Sequence, residues 1–595
     1  MQPTTEILEG IMKNSRKNKE EIFTRLYRYM LRPDLYYLAY KNLYANKGAG
    51  TKGVNDDTAD GFSEEKIIKI IKSLSDEAYA PSPVRREYIQ KKQNSTKKRP
   101  LGIPTFTDKL VQEVLRMILE AVYEPTFSYF SHGFRPNKSC HTALKSLKNE
   151  FNGVSWFIEG DIKGCFDNID HHILVNIINA KIKDTRLIKL IWKFLKAGYM
   201  ENWKYHATYS GCPQGGIVSP ILANIYLNEL DKFAEKLSKE FYKHRERQQT
   251  LEYDQIAWQK KQTKKRLKSA KGQDKTDLLA LFKEQKAKMH KTPCMSKTDK
   301  VIKYIRYADD FIIGVKGNKE DCESIKRQLS DFISQSLKME LSAEKTLITH
   351  SSQYARFLGY DIRVRRNQEL RPCGNHISRT LNNSVELCVP FEDKIIPFLF
   401  NKSIIAQSKD GKIEPIARKI ILKSTNLEIV SVYNSELRGI CNYYGLASNF
   451  NKLDYFAYLM EYSCLKTLAG KHKSTSRKII RKFRDGKNWS IPYETAKGIK
   501  RREFAKFMDC KSADNFGDSI INFATKYAGA RTTFEDRLLA HVCELCGKTD
   551  VPLAMHHVNK VKNLKGKQFW ELVMIAKKRK TLAVCKDCHH KIHHP

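Results

Sequence analysis

Apolar residues change their spacing along this chain, and the changes mark out its parts. Over the first ninety or so residues they recur at helical intervals, as at Ile22, Leu26, Tyr29 and Met30, interrupted by the glycine-rich stretch Lys47 to Gly53. From Tyr88 to Tyr360, short β-branched and aromatic runs such as Trp156 to Asp161 and Tyr304 to Val315 alternate with longer helical patterns. This predicts an α/β core. Between Leu387 and Leu468 strand alternation fades after the start, and stretches such as Leu427 to Tyr444 predict a mainly α-helical domain. The chain closes on a short unit rich in Cys and His.

Composition sharpens this outline. A chain of 595 residues is too long for one core, since domains run to roughly 100–200 residues, and 41% hydrophobic residues with 29% charged fit several folded, water-facing cores. The net charge of +40 requires an extended polyanion to neutralise it, which makes nucleic acid the expected partner. Part of the charge is local. Lys236 to Lys300 carries 19 Lys and Arg against 8 Asp and Glu, so the region of about 235–300 reads as a basic helical insertion in the core. Lys471 to Lys506 carries 13 against 3, with Trp489, Tyr493, Phe504 and Phe507 interleaved. That mixture fits a base-stacking nucleic-acid surface or, equally, a solvated helix face. No apolar run approaches the roughly 20 residues that span a bilayer, and the N-terminus lacks a signal-peptide pattern, so no membrane and a reducing cytoplasm are expected. Ten cysteines are scattered singly and read as buried small hydrophobes, whereas Cys543, Cys546, Cys585 and Cys588 form two Cys-x-x-Cys pairs with the spacing of a closed structural Zn²⁺ site.

The sharpest chemical signal is Tyr307-Ala308-Asp309-Asp310 between the strand-like runs Val301 to Arg306 and Phe311 to Val315, which predicts a hairpin with two carboxylates at its tip. A second apolar strand, Trp156 to Gly160, ends on Asp161. Nucleotidyl transfer needs two hard cations about 3.5–4 Å apart, and Mg²⁺ takes carboxylate oxygens, so Asp161, Asp309 and Asp310 are the candidate ligands.

With these carboxylates the chain resembles reverse transcriptases encoded by group II introns, of the bacterial, mitochondrial-like lineage. The resemblance rests on ordered blocks: Arg99 to Thr105, His132 to Pro136, the Asp161 block, Pro213 to Pro220, Tyr307 to Asp310, and Arg356 to Tyr360. It implies a multidomain α+β chain: a right-hand polymerase with fingers and palm, an α-helical thumb or maturase domain, a basic DNA-binding segment, and a small zinc-stabilised ββα-metal H-N-H domain. The implied ranges are 1–87 for an N-terminal extension that contacts intron RNA and the start of the fingers, 88–365 for fingers and palm, 387–470 for the maturase or thumb, 471–535 for DNA binding and 540–595 for the nuclease. It also implies that Phe166 excludes a 2′-hydroxyl, that Lys91 and Arg99 hold the triphosphate, that Gln214 and its glycines approach the nucleotide, and that Phe357 to Tyr360 grips the primer end.

Tyr433 to Tyr444 is similar to the heart of the family's maturase domain. Its aromatic stripe reads more readily as helix core than as an RNA platform, leaving Arg438 as the RNA-contact candidate. Around the zinc cysteines, His556-His557 and the run Cys588 to His593 resemble H-N-H nucleases, which implies His557 as general base and His556, His589 and His593 as ligands of a divalent metal. There are departures: Ala554 and Met555 stand where an acidic residue is often found, and the middle Asn position falls on Thr581. A zinc-stabilised DNA-binding tail without nuclease activity is the alternative.

The function this implies is RNA-directed DNA polymerase, maturase promoting intron splicing, and site-specific DNA endonuclease for intron mobility. The implied partners are group II intron RNA, target double-stranded DNA, an RNA template with DNA primer, and deoxynucleotides, in a nucleoid-associated bacterial ribonucleoprotein for which a homodimer is permitted. Mg²⁺ would serve the polymerase and the nuclease, and Zn²⁺ the cysteines. A splicing factor with a vestigial polymerase is disfavoured by the intact Asp161, Asp309 and Asp310, and a defence nuclease by the block around Arg438.

Overall fold

A computed structural model of the protein describes residues 4–46, 48–91, 94–202, 204–212, 215–242, 249–292, 294, 299–366, 371–374, 376–378, 382–408, 410–486, 488–495, 498–510 and 533–594, without the side chains of 4, 5, 91, 94–97, 371, 373 and 376–378. The helices Thr4–Lys17 and Pro33–Leu43 pack on Phe106–Tyr123, a helix buried nearly all round. Two sheets follow. Val84–Lys91 and Asn94–Ile103 form an antiparallel ribbon that is extended by Tyr199–Glu201 and Lys204–His206. The second sheet runs Val301–Tyr307, Asp310–Lys316, Trp156–Asp161, Ile348–His350 in spatial order, with every pairing antiparallel. Its apolar positions bury the helices Ser219–Phe241 and Lys319–Leu337, whose Phe233 and Phe332 rings stack at 4.2 Å.

The basic insertion is a helical hairpin, Leu251–Leu267 against Gln273–Lys291. Neither helix contributes more than a trace of core, so their cations stay in water. Beyond the second sheet lie the long helices Asn426–Tyr443 and Leu453–Lys471, together with a small hairpin, Ile405–Gln407 on Ile413–Pro415, that helical spacing did not predict.

The patch from Lys471 to Lys506 folds as the helix Ser476–Lys482 and a three-stranded meander, Arg484–Asp485, Asn488–Thr495 and Gly498–Glu503. Three of its four named aromatics are packed rather than offered as a stacking platform. Trp489 is buried with Nε1 donating to Glu461, Phe504 stacks on Trp489, and Phe507 stacks on Phe450. The meander packs Trp489 to Ile491 inward, whereas its last strand is exposed along its whole length, Lys500, Arg501 and Arg502 included. The single cysteines are mostly buried as expected, but Cys294 is exposed and Cys140 half-buried.

Two apolar cores result. One joins the second sheet to the long helices and the meander. The other runs from Tyr36, Tyr40 and Phe62 near the N-terminus through Phe106–Tyr123 into Phe534, Met555, Leu582 and Val584 of the C-terminal unit. The two ends of the chain therefore share one interior. Among the described residues no helix is long and apolar enough to cross a membrane.

Candidate active sites

At the centre of the second sheet, Asp161 faces Asp310 directly across paired strands, and Asp309 sits in the turn beside them. The turn is unusual, because Ala308 carries φ +56° despite its Cβ. Two contacts hold it there. Gly133 approaches so closely that a Cβ would lie 2.3 Å from the Ala308 nitrogen, which explains a glycine in the His132 to Pro136 block. The fully buried Arg306 donates from Nη1 to the Ala308 carbonyl at 2.8 Å, and from Nε and Nη2 to the two Asp231 oxygens at 2.7 and 2.6 Å. Arg306→Met would leave Asp231 buried without its cation, so a loss of about 3–5 kcal/mol is expected. Denaturant unfolding followed by core fluorescence checks this; an unchanged midpoint would show that the pair does not hold the turn.

Burial, then the charges of Asp309 and Asp161, push the Asp310 carboxyl up to about 7; burial first, and then Asp161, raises Asp309. A raised acid pKa means that the folded chain holds a proton the unfolded chain has released. Without a cation, stability therefore falls as pH rises from the usual carboxylate range towards 7. Lys345 supplies one compensating charge, its Nζ 2.8 Å from Asp161 Oδ2, and Arg99 lowers Asp309 from further away. Three hard oxygen donors held against this penalty fit divalent cations. They are more widely spread than a closed ligand set: among the described residues the tight clusters are two others, both involving the C-terminal unit.

Phe166 lies half-buried beside this edge, its ring edge-to-face with the exposed Phe134 at 6.1 Å. The Cys212 amide donates to its carbonyl at 2.7 Å, and Gly211, at φ +86°, fits where a Cβ would meet the 166–167 backbone at under 3 Å. Gly215 similarly sits against the Gly102 carbonyl. Arg99 is exposed on the ribbon opposite Ile89. Lys91 ends its strand, but its side chain lies outside the described residues, as does Gln214 altogether.

Phe357 and Tyr360 close a two-residue hairpin in which Leu358 and Gly359 both have positive φ, the turn that matches strand twist. Tyr443 donates to the Leu358 carbonyl and Tyr444 to that of Gly359. The aromatic stripe of Asn426–Tyr443 is thus packing, with Tyr433 buried on Ser463 and Thr467. Arg438 on the same helix is exposed.

In the C-terminal unit the hairpin Leu553–His557 with Thr581–Cys585 is followed by the helix Lys586–His593. The sulfurs of Cys543, Cys546, Cys585 and Cys588 lie within 4.8 Å of one another, with Cys546 and Cys585 at 3.8 Å. Ligands 2.3 Å from one zinc at tetrahedral angles would be about 3.8 Å apart, so the donor set fits. Burial and the neighbouring sulfurs raise the Cys585 and Cys588 thiols, whereas at Cys543 the backbone amides of Cys546, Cys585 and Leu545 outweigh burial and bring it down to about 7.

His556, His589 and His593 also converge, while His590 and His594 pair with each other at 4.7 Å outside the cluster. Thr581 lies opposite His557, buried under Arg537, which also bridges Glu544. The helix Phe534–Leu539 packs on this hairpin and so belongs to the same unit. Two site residues are absent from the sequence reading. Lys345 has no motif of its own. Asp60 joins the histidine cluster from the other end of the chain, and burial, which would raise its carboxyl, is outweighed by His556 and His589, which hold it far below the usual range.

Three protein families match parts of the chain. Residues 89–250 and 278–362 match the family described as reverse transcriptase (RNA-dependent DNA polymerase), 382–527 match type II intron maturase, and 543–589 match AI2M/AI1M-like HNH endonuclease. The chain is 61% identical over 597 residues to the group II intron-encoded protein LtrA of Lactococcus lactis subsp. cremoris, covering 100% of both. It is 34% identical to a putative COX1/OXI3 intron 2 protein of Saccharomyces cerevisiae, covering 98% of this chain and 68% of that one. A 91 kDa protein in the cob intron of Schizosaccharomyces pombe is 36% identical, with 98% and 72% covered.

Proposed function

We propose residue roles for a chain that belongs to the group II intron-encoded proteins and is a multifunctional reverse transcriptase, intron maturase and HNH endonuclease. The observation that carries the polymerase roles is the register of Asp161 against Asp310 with Asp309 in the adjoining turn. Asp161 and Asp309 are the principal magnesium ligands, with Asp310 the second acid of the hairpin. Mg²⁺ held there would supply activation of the attacking oxygen and charge compensation for the leaving pyrophosphate. The second sheet with its helices is the palm and the ribbon the fingers, from which Lys91 and Arg99 reach the triphosphate and Gln214 the nucleotide. The helices from Asn426 onward stand in the thumb position. Phe357 to Tyr360, pinned by Tyr443 and Tyr444, holds the primer end.

Phe166 closes the space beside the 2′ carbon. Phe166→Ala is expected to raise ribonucleotide incorporation relative to deoxynucleotide by at least ~10-fold, since removing a steric block of one hydroxyl is worth over ~1.4 kcal/mol. Single-nucleotide extension on an RNA template measures the ratio; an unchanged ratio assigns the gate to another residue.

For the remaining functions, Arg438 contacts intron RNA from the exposed face of its helix, and Lys500, Arg501 and Arg502 contact the backbone of target DNA. The ranges 1–87, 88–365, 387–470, 471–535 and 540–595 serve as extension, polymerase, maturase, DNA-binding and nuclease segments, with the helix Phe534–Leu539 packed on the last. Zn²⁺ on the four cysteines is structural. His557 is the general base, and His556, His589 and His593 hold the divalent cation that meets the scissile phosphate. The working particle is a ribonucleoprotein with intron RNA, associated with the bacterial nucleoid.

A further inference from the structure

The histidine cluster is closed by a residue from the opposite end of the chain. Asp60 Oδ1 lies 3.2 Å from His556 Nδ1 and 3.2 Å from His589 Nε2, and Oδ2 lies 2.7 Å from His593 Nε2. Ligands bound at about 2.0–2.1 Å to one cation, at octahedral or tetrahedral angles, are about 2.8–3.4 Å apart, a spacing the two Oδ1 contacts match and the Oδ2 contact slightly undershoots. Three imidazoles whose ring centroids are only 4.8 to 5.7 Å apart converge on this one carboxylate, a set of three nitrogen donors and one oxygen donor that suits a divalent cation. His556 is 3% exposed; its Nδ1 faces Asp60 Oδ1 off hydrogen-bond geometry, and its Nε2 has no hydrogen-bond partner among the described residues. Such a group is costly unless a further partner, here a cation, faces it.

Asp60 is also built into place. The Gly61 amide donates to the Met555 carbonyl at 3.0 Å, and Phe62 and Ser63 add a strand to the nuclease hairpin opposite Met555 and Ala554. These two are the residues that stand where the C-terminal unit lacks its own acid, so the carboxylate arrives through their strand partners. The His557 amide donates to Asp60 Oδ1 at 2.7 Å. On the next position the chain does the same for the base: His557 Nε2 lies 3.1 Å from the Tyr44 carbonyl. A carbonyl can only accept, so Nε2 carries the proton and Nδ1 keeps the lone pair that a general base needs. The side chain of His593 is 44% exposed, which leaves the cluster open to a phosphate on that side.

We propose that the nuclease centre is composite: Asp60 is a ligand of its divalent metal and the Tyr44 carbonyl fixes the tautomer of its base, so the C-terminal unit is competent only while docked on the N-terminal segment. This rests on the reading of His556, His557, His589 and His593 as a nuclease site. Cutting is thereby tied to the body that holds the RNA and the primer, and zinc alone does not make the unit active.

The test uses the full-length, zinc-loaded protein and Mn²⁺ alone as the probe. Pulsed electron paramagnetic resonance separates histidine-bound Mn²⁺, by its nitrogen modulation, from Mn²⁺ on the polymerase carboxylates. Amide exchange at Phe62 and Ser63 reports docking. Asp60→Asn keeps the shape and is expected to weaken the histidine-bound ion at least ~10-fold with exchange at Phe62 and Ser63 unchanged, as does His589→Ala, while Asp56→Asn on the exposed neighbouring loop changes nothing. If His589→Ala weakens the ion and Asp60→Asn does not, the composite centre is overturned and the nuclease reading stands. If Asp60→Asn releases the ion only together with the Phe62 and Ser63 protection, Asp60 is a docking residue and its assignment as a ligand is overturned. A wild-type protein without histidine-bound Mn²⁺ overturns both.

Discussion

Asp309→Ala is expected to reduce deoxynucleotide incorporation on an RNA template by at least ~10³-fold while leaving intron RNA binding and splicing nearly intact. The size follows from the several kcal/mol of charge stabilisation that a lost metal ligand forfeits, at about 1.4 kcal/mol per tenfold. The selectivity follows from placement. Asp309 stands in a turn whose shape is fixed by Arg306, Asp231 and Gly133, so removing its carboxylate leaves the backbone supports in place. It also removes a buried like charge beside Asp310, so the variant should be no less stable than the parent. Primer extension and splicing in the same preparation make the measurement. Equal loss of both would refute the division of labour between the polymerase site and the maturase surface.

Cys543→Ser is expected to cost the protein its zinc, its C-terminal protease resistance and its DNA cleavage together. A structural zinc contributes roughly 10–16 kcal/mol of apparent folding free energy, far more than the small core of the unit supplies. His557→Ala should differ on every count but one: zinc and protease resistance are retained, and cleavage slows by ~10²-fold, the scale of losing a general base. The serine variant should also loosen the N-terminal segment, because Phe534, Met555 and Leu582 share a core with Tyr40 and Phe62. Metal content, proteolysis from Thr533 onward and cleavage of a preformed target are scored side by side. A Cys543→Ser protein with full zinc would show that the cysteines are not the site, and a His557→Ala protein without zinc would make His557 structural.

The parts of the molecule that sequence revealed are those in which chemistry is written locally. Apolar runs on both sides of Asp309 and Asp310 predict their hairpin because strand period and turn lie within a dozen or so residues, and paired cysteines carry their spacing with them. The parts that stayed hidden depend on distant partners. Arg306 is one residue in an otherwise ordinary strand, and only the fold shows that Asp231 neutralises it in the interior. The basic patch at Lys471 to Lys506 reads ambiguously, since charge counts do not tell a strand from a helix, and that choice decides where Trp489 lies. Lys345 and Asp60 carry no local signature at all. Asp60 sits in a stretch of polar turn residues, Asn55 to Gly61, where an aspartate ordinarily means turn chemistry.

Phe62 and Ser63 give the nuclease hairpin a third strand, and the time needed to make it matters. Asp60 and the His557 it meets are 497 positions apart. At about 5–20 residues per second, synthesis of the intervening chain takes roughly 25–100 s. Through that interval Tyr40 and Phe62, which stack on each other with Tyr40 also edge-on to Phe106, lack the part of their cover that Phe534 and Met555 supply, beside a strand position open to another partner. The polymerase therefore finishes its own assembly only after the last residues have emerged, and a stalled or prematurely ended nascent chain leaves a sticky edge at its beginning, in addition to lacking its end.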